Sequence, residues 1–373
     1  MPRELSASEY LAGMEDYARA GTARARALGN RGPLRLGRDG RLAGEILDRY
    51  HEHGFYVLED VIQPDELAEL RSDFQRTIET AVPGPVSSHD PATSRDVFTW
   101  VEPLSDPWGG TEVVGGRYQV KMTEPAPETK APDLVPMLML RLFEFMDSAL
   151  RLYGHPKLLA VAESINGTDF TPFKESIFIK QPGVGGAVSW HQDGTTHWSS
   201  PAWEEDIHGF NFQLQLYPCS AMNCLWVVPG THKLGRVDIR KCVAQNGGSE
   251  RLADALPLVC NAGDVTIVNR QALHGSFPNA SREERISLTF GFHKRSSVLG
   301  ARVRLAGEEI VYDEDRIFER SSLIQTAIDA RHQRFPAEEP YRYQPFVGLE
   351  SQYRFDEAAG ERIRDYDLND LGI

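Results

Sequence analysis

The chain has 373 residues, 54 of them acidic and 40 basic, so its formal net charge is −14. This length can bury a sizeable core, and the apolar and charged fractions of 41% and 25% are ordinary for a globular protein. We expect neither nucleic acid nor a membrane as a partner, because the chain shows no basic excess and no long apolar segment.

The cysteines and the N-terminus predict a location. The four cysteines include no CxxC pair, so we expect free thiols in a reducing compartment. Residues 1–21 are interrupted by charges and lack the apolar stretch of a signal peptide. The predicted localisation is therefore cytoplasmic.

The N-terminal part of the chain is predicted to be mainly helical. Leu11, Met14 and Tyr17 have helical spacing, which indicates a helix within 1–30, and a Gly/Pro/Arg-rich connector follows. Pro64 and Asp65 are typical of a helix start. The next predicted elements are a helix, a strand and a second helix, at 41–53, 54–60 and 63–82.

The middle of the chain changes character twice. Residues 82–132 are rich in Pro, Gly, Ser and Thr and are predicted to form long loops, which in compact domains often serve as lids. Residues 133–153 are predicted to form an amphipathic helix that packs on a sheet.

Short strands follow from residue 174 onward. Each predicted strand is bounded by Gly, Pro, Asn or Asp, and a series of such strands is typical of a β-sandwich or jelly roll. The segments are 174–181, 209–217, 224–230, 263–269 and 285–294.

Two of these strands have one polar and one apolar face, because side chains alternate along a strand. The pattern alone favours a polar face in solvent, and the alternative is a polar face that lines a cavity inside a barrel. The polar faces carry Asn211, Gln213, Gln215 and Tyr217 in one strand and Arg285, Ser287 and Thr289 in the other.

The segment SWHQDG places His191 and Asp193 two positions apart, so both side chains can point the same way from an extended strand. Two histidines and one carboxylate on one face of an octahedron leave three open positions, as in non-haem iron(II) oxygenases. The pair is a weak motif by itself, and His274, after a predicted strand, supplies the second histidine.

A candidate anion clamp lies close to His274. Arg285 follows eleven positions later, and Ser276 shares the strand face of His274. An arginine can hold a carboxylate through two parallel hydrogen bonds, with a serine hydroxyl adding a third. The distal carboxylate of 2-oxoglutarate needs such a clamp, while its 2-oxo acid end can chelate iron.

Four blocks of the chain resemble the phytanoyl-CoA dioxygenase family of iron(II)/2-oxoglutarate oxygenases. They are HEHGFYVLEDVIQPDELAELR, IFIKQPGVGGAVSWHQDG, LWVVPGTHK and GDVTIVNRQALHGSFPNASREERISLTF. The family's usual Asn-Gly turn is Met222-Asn223 here, and its PGSH is PGTH, so only local turn geometry differs. Together the blocks span about residues 45–295, and the chain beyond them matches no pattern of the family.

The resemblance implies a fold and a site. The fold is mainly β, a double-stranded β-helix (a cupin-like jelly roll) with helices outside, and the polar strand faces would then point into the barrel. His191, Asp193 and His274 match the family's iron ligands, and Arg285 and Ser276 match its 2-oxoglutarate-binding residues. The implied cofactors are iron(II), 2-oxoglutarate and O₂.

Further candidates are weighed against ordinary structural roles. Gln213 and Lys180 are candidate 2-oxoglutarate contacts, with polar strand residues as the alternative. Asn211, Trp198 and Trp226 are candidate substrate contacts, although an aromatic residue beside a motif is more often part of the core.

Three segments are expected. Residues 1–40 form an N-terminal helix and connector, residues 41–295 the dioxygenase domain, and residues 296–373 a C-terminal extension of the same globule. This extension is predicted to act as a lid or as an oligomer contact, so a homo-oligomer is one expectation for partners.

The predicted function is a dioxygenase that hydroxylates, or otherwise oxidises, an unactivated C–H bond of a small-molecule metabolite and releases succinate and CO₂. Asp193 argues against halogenation, since related halogenases have Ala or Gly at the matching position. The alternatives are a zinc-type hydrolase or lyase on the same fold and a non-catalytic relative.

Overall fold

The computed structural model describes residues 5–81, 83, 97–112, 116–128, 130–193, 208–305 and 308–356. The α-helices are α1 (Ala7–Leu28), α2 (Gly44–His53), α3 (Pro64–Glu79), α4 (Leu142–Phe145), α5 (Asp147–Tyr153), α6 (Pro156–Asn166), α7 (Ile239–Gln245), α8 (Arg295–Val298) and α9 (Glu314–Arg334). No helix within these ranges combines the length and apolar character that crossing a bilayer requires.

The strands form a large sheet, a smaller sheet and a hairpin. The large sheet has the order β1-β2-β10-β7-β12-β5-β4-β3, the smaller one β6-β11-β8-β9, and β13 pairs with β14. The strands are β1 (Arg31–Pro33), β2 (Phe55–Glu59), β3 (Phe98–Val101), β4 (Val135–Met139), β5 (Thr171–Lys180), β6 (Val188–His191), β7 (Gly209–Gln215), β8 (Trp226–Val228), β9 (Leu256–Pro257), β10 (Val265–Asn269), β11 (Leu273–Ser276), β12 (Arg285–His293), β13 (Arg302–Leu305) and β14 (Glu308–Val311).

This topology is the predicted double-stranded β-helix, with the cavity between its two sheets. Neighbours in the large sheet are antiparallel apart from β1 and β2, and chain-distant strands such as β5 and β12 lie side by side. Side chains from both sheets line one cavity. The predicted fold class is therefore confirmed.

The alternating strands β7 and β12 have their polar faces inside the barrel. Asn211, Gln213 and Thr289 line the cavity, and Gln213 lies opposite Thr289 across the antiparallel pair. The apolar face packs into the main core on the outer side of the sheet, with Phe212 opposite Phe290. The solvated face favoured by the pattern alone is wrong, because helices and sheet enclose both faces.

The prediction for residues 133–153 is wrong in its first half. Residues 135–139 form the strand β4, which pairs with β3 and β5, and all five of its side chains are buried. The short helices α4 and α5 follow. A continuous apolar run is compatible with a buried strand as well as with a buried helix, and periodicity cannot separate the two.

The N-terminal helix α1 packs on the smaller sheet. It begins with a capping box between Ser6 and Glu9. Its buried face contributes Tyr10 and Met14 to a second core, which also contains Trp226 of β8. The ring of Tyr17 stacks on Trp226 with a centroid distance of 4.5 Å.

The C-terminal helix α9 belongs to the main core. Leu323, Ile324 and Ala327 are buried there, and a Cβ added at Gly154 would lie only 2.2 Å from the carbonyl oxygen of Ala327. Part of the described C-terminal extension therefore packs against the main core, while the three-segment division and the roles as lid or oligomer contact stay predictions.

Candidate metal centre

Two neighbouring strands of the smaller sheet bring three ligand-type side chains together. His191 ends β6, Asp193 follows two residues later, and His274 lies opposite His191 on the antiparallel strand β11. The Nε2 atoms of His191 and His274 lie 3.4 and 3.6 Å from the Asp193 carboxylate oxygens. All three side chains are buried, and one ligand atom from each lies within 4.8 Å of the other two.

Both imidazoles are oriented by the backbone. The Nδ1 atom of His191 lies 2.8 Å from the carbonyl oxygen of Ser189, and that of His274 lies 2.8 Å from the carbonyl oxygen of Ala272. A carbonyl oxygen only accepts, so Nδ1 carries the proton and donates it. Each Nε2 is then left with a lone pair toward Asp193, the arrangement that metal-ligating histidines adopt.

The carboxylate of Asp193 is held from two sides. The Nδ2 atom of Asn211 donates to Oδ2 at 2.7 Å, and Nη1 of Arg117 lies 3.4 Å from Oδ1. Burial raises the pKa of Asp193, but its interactions with His191, His274 and Arg117 outweigh burial, so the pKa lies well below its usual range. Burial and the charge of His191 lower the pKa of His274 to about 4.

The three side chains fit a divalent metal ion. Their protonation state at neutral pH, a carboxylate with a neutral imidazole at His274, is the one that ligands need. The separations exceed the roughly 2.7–3.2 Å of a good hydrogen bond, which leaves room for an ion between them. Two nitrogens and one oxygen suit iron(II), and no other such cluster of His, Cys, Asp or Glu occurs in the ranges that the structure describes.

The cavity beside this cluster has a volume of about 820 Å³, counted out to its open mouth. Residues of both sheets line it, together with Trp108, Arg117 and Tyr118 from the loop that precedes β4. Its walls are largely apolar, with Phe173, Phe178 and other hydrophobic side chains. A concave cavity with largely apolar walls and several convergent polar side chains is typical of a small-molecule site.

Arg285 lies at the start of β12 and lines the same cavity. Its side chain is buried, with 1% of the residue exposed, and its guanidinium has no hydrogen bond or ion pair to any described residue. The hydroxyl of Ser287 is also buried without a partner. An unpaired buried charge is costly, so this end of the cavity fits an anionic group from outside the chain, such as a carboxylate of 2-oxoglutarate.

The structure brings most predicted site residues to this one cavity. His191, Asp193, His274, Arg285, Ser276, Gln213 and Asn211 all line it. Trp198 lies outside the described residues.

Lys180 and Trp226 are placed elsewhere. The ammonium of Lys180 is buried and donates to the carbonyl oxygens of Gly186 and Phe277, both at 2.6 Å. Trp226 packs between Tyr17 and Phe277, and its indole N–H donates to the carbonyl oxygen of Ala221. Neither residue lines the cavity, so the contacts of Lys180 and Trp226 indicate structural roles.

The loop that carries Arg117 and Tyr118 contributes residues that the sequence did not identify. Asp106 anchors it by accepting hydrogen bonds from the hydroxyl of Ser189 and from the backbone N–H of Met122. The ring of Tyr118 lies 4.9 Å from that of His191. The one available signal was the unusual length of the loop region, which indicates function without indicating residues.

Comparison with known proteins places this site in a family. The family model described as "Phytanoyl-CoA dioxygenase (PhyH)" matches residues 50–287. Phytanoyl-CoA dioxygenase 1 of Oryza sativa subsp. japonica is 32% identical over 123 residues, which cover 31% of this chain and 42% of that protein. Phytanoyl-CoA dioxygenase of Arabidopsis thaliana is 24% identical over 264 residues, which cover 67% of this chain and 88% of that protein.

Similar solved structures include EctD from S. alaskensis with bound Fe, at 15% sequence identity and a TM-score of 0.49 over 71% of this chain and 81% of that one. The family match covers more than half of the chain and contains His191, Asp193, His274 and Arg285. It confirms the predicted enzyme class, an iron(II)- and 2-oxoglutarate-dependent dioxygenase that uses O₂. The chain belongs to the phytanoyl-CoA dioxygenase (PhyH) family.

Proposed function

We propose that the protein hydroxylates an unactivated C–H bond of a small-molecule metabolite and releases succinate and CO₂. The observation that carries this proposal is the juxtaposition of a buried His₂Asp cluster and the buried, unpartnered Arg285 in one cavity. The match to the PhyH family supports it.

Each group of the site has an assigned part in this proposal. His191, Asp193 and His274 would hold the iron, and Arg285 with Ser276 would hold the distal carboxylate of 2-oxoglutarate. When bound, iron and 2-oxoglutarate supply the O₂ activation and the oxidising equivalents for C–H hydroxylation.

The protein itself orients the metal ligands and shapes the cavity in which the substrate reacts. Asn211 holds the Asp193 carboxylate in place through its 2.7 Å hydrogen bond. The aromatic side chains in the cavity wall would limit the access of water to the reacting end, which would protect the reaction from competing steps. Asp193 supplies a protein ligand at the position where a halogenase would leave room for chloride on the metal. We therefore propose oxygenation as the outcome.

Succinate formation tests the proposal. Purified protein with iron(II), ascorbate and 2-oxoglutarate should form succinate only in the presence of O₂, and a metabolite library should increase the rate where it contains a substrate. His191→Ala should abolish succinate formation, while His332→Ala, an exposed histidine on α9, should leave it intact.

Two other outcomes would favour the alternatives. Substrate turnover without O₂ or 2-oxoglutarate would favour a zinc-type hydrolase or lyase. Failure of a folded, iron-loaded protein to convert 2-oxoglutarate under any condition would favour a non-catalytic relative.

We also propose a cytoplasmic location, which rests on the cysteines. All four are free thiols, and Cys219, Cys224 and Cys260 are buried. Free buried thiols are usual in reducing compartments.

We also propose that the protein forms a homo-oligomer through its C-terminal extension. A measurement of the oligomeric state in solution tests this proposal.

A further inference from the structure

Arg117 is a buried cation beside the three candidate metal ligands. No sequence motif identified it as a site residue. Only 2% of the residue is exposed, yet its side chain lines the cavity. It comes from the loop that Asp106 anchors to β6, and its guanidinium carbon lies 4.8 Å from the ring centroid of Tyr118.

The hydrogen bonds of Arg117 leave donors unused. A guanidinium has five N–H donors, but Arg117 makes two hydrogen bonds within the described residues, from Nη2 to the Tyr118 hydroxyl at 2.7 Å and from Nη1 to Asp193 at 3.4 Å. Its Nε is buried without a partner. Buried donors without acceptors are costly, so the arrangement favours a ligand that brings acceptors.

Arg117 holds the Asp193 carboxylate less closely than Asn211 does. Asn211 already binds that carboxylate at 2.7 Å, whereas the contact from Arg117 is long at 3.4 Å. A charged bidentate pair would be closer, at about 2.7–2.9 Å. The guanidinium of Arg117 therefore lies beside the three ligand residues with three of its five N–H donors unused within the described residues.

The charges of the cavity point to the same kind of ligand. Of the described lining residues, Arg117 and Arg285 are cationic and Asp193 is anionic, so one positive charge remains. The charges of iron(II) and of dianionic 2-oxoglutarate cancel, so the excess persists in the loaded site. Arg270 does not line the cavity, but its buried guanidinium lies 3.6 Å from the ring centroid of the lining residue Phe173 and is a third cation near the site.

We propose that Arg117 binds a carboxylate of the substrate, so that the substrates of this enzyme are small organic acids with an apolar body. This inference rests on the proposed function and names its substrate class. The planar guanidinium matches a carboxylate in shape and hydrogen bonding, and Trp108 and Tyr118, whose rings are stacked at 5.6 Å, provide an apolar surface next to it.

Matched acid and amide probes test the proposal. The probes are hydrocinnamate, cyclohexanecarboxylate and octanoate, each compared with its primary amide, because an amide keeps the shape and loses the charge. Binding is measured anaerobically as the change that each probe causes in the visible absorption of the protein loaded with iron(II) and 2-oxoglutarate. The protein variants are wild type, Arg117→Gln, Arg117→Lys and the exposed control Arg342→Gln.

We expect wild type and Arg342→Gln to bind the acids about 100-fold more tightly than the amides. This factor corresponds to the affinity lost when one partner of a buried charge pair is removed. Arg117→Gln should lose this preference, and Arg117→Lys should keep part of it. Amides that bind wild type as tightly as the acids, or an acid preference that survives in Arg117→Gln, would overturn the proposal.

The iron affinity of Arg117→Gln separates two roles of the residue. If iron(II) binds this variant as tightly as wild type while the acid preference is lost, the substrate role is supported. If iron affinity falls in parallel with acid binding, Arg117 is a positioning residue for Asp193 and the substrate proposal is overturned. Failure of the proposed function would differ from both, because wild type would then develop no visible absorption with iron(II) and 2-oxoglutarate.

Discussion

Lys180 and Arg285 lie opposite each other across the antiparallel strands β5 and β12, and both are buried. Burial and the neighbouring Arg285 charge lower the pKa of Lys180 well below its usual range. The buried ammonium of Lys180 donates hydrogen bonds to two backbone carbonyl oxygens, whereas the guanidinium of Arg285 has no such acceptor among the described residues. This asymmetry makes Arg285 the cation that a bound dianion would neutralise.

Arg285→Met should separate ligand binding from folding. We expect the dissociation constant of 2-oxoglutarate to rise about 100-fold, because the charged anchor of its carboxylate is lost. The free energy of unfolding of the metal-free protein should stay the same or rise by about 1–3 kcal/mol, because an unpaired buried charge is removed. Isothermal titration and urea unfolding measure the two effects, with the exposed Arg282→Met as control. A strong loss of stability would show that Arg285 has partners within the protein.

Asn211→Ala should weaken iron binding without removing a ligand. Asn211 donates the 2.7 Å hydrogen bond that orients Asp193, and loss of such a partner typically costs about 10–100-fold in metal affinity. Competition with a chromophoric chelator measures the affinity, and Gln245→Ala, at an exposed position, is the control. Unchanged affinity would mean that Asn211 serves the substrate, as the sequence alone suggested.

Gly275→Ala should disturb the spacing of the two histidines. A Cβ at Gly275, next to His274, would lie 3.0 Å from the carbonyl oxygen of Val188 and 3.1 Å from the backbone nitrogen of Trp190. The strands β6 and β11 must separate slightly, so we expect destabilisation of about 1–3 kcal/mol and weaker iron binding. Gly44→Ala, where nothing lies within 4 Å, controls for the substitution. Wild-type iron affinity in Gly275→Ala would argue against a rigid metal site.

Asp106→Asn should loosen the loop that carries Arg117 and Tyr118. The carboxylate accepts hydrogen bonds from the Ser189 hydroxyl and the Met122 N–H, and an amide cannot replace every one of them. We expect a loss of about 1–3 kcal/mol in unfolding free energy and faster hydrogen exchange in residues 102–112 and 116–124. The exposed Asp254→Asn should change neither, and equal exchange rates would contradict the anchoring role.

The stability of the metal-free protein should fall in mild acid, partly through His155. Burial and the charges of Arg331 and Lys157 lower its pKa well below 6.5. The unfolded chain therefore takes up the proton first, and stability present above pH of about 6.5 is lost as the pH decreases, by at most about 1.4 kcal/mol per pH unit for this group. Urea unfolding at pH 7 and pH 5.5 should show a smaller difference for His155→Gln than for wild type, and an identical difference would contradict it.

The sequence predicted the candidate metal and 2-oxoglutarate ligands better than it predicted the other residues that line the cavity. His191, Asp193, His274 and Arg285 carry their signal in spacing, because alternation on strands and the turn between β11 and β12 determine where they point. The polar faces of β7 and β12 were ambiguous, since the same alternation serves a solvated face and a cavity. Residues 135–139 were misassigned because a fully buried strand has no periodicity to recognise.

Arg117 and Trp226 could not be placed from sequence for a different reason. Arg117 lies in an irregular loop, where no repeat relates sequence position to direction. Trp226 lies in a motif, but its environment is decided by Tyr17 of α1, more than 200 residues away in the chain. Both depend on tertiary contacts that local patterns do not encode.

The most direct test of the central claim is a titration of iron(II) into the anaerobic protein saturated with 2-oxoglutarate. We expect a weak visible charge-transfer absorption that saturates at a stoichiometric amount of iron and is absent in a folded His274→Ala variant. A folded wild-type protein that develops no such absorption, or a His274→Ala variant that develops the same one, would contradict the assignment of His191, Asp193 and His274 as the iron site.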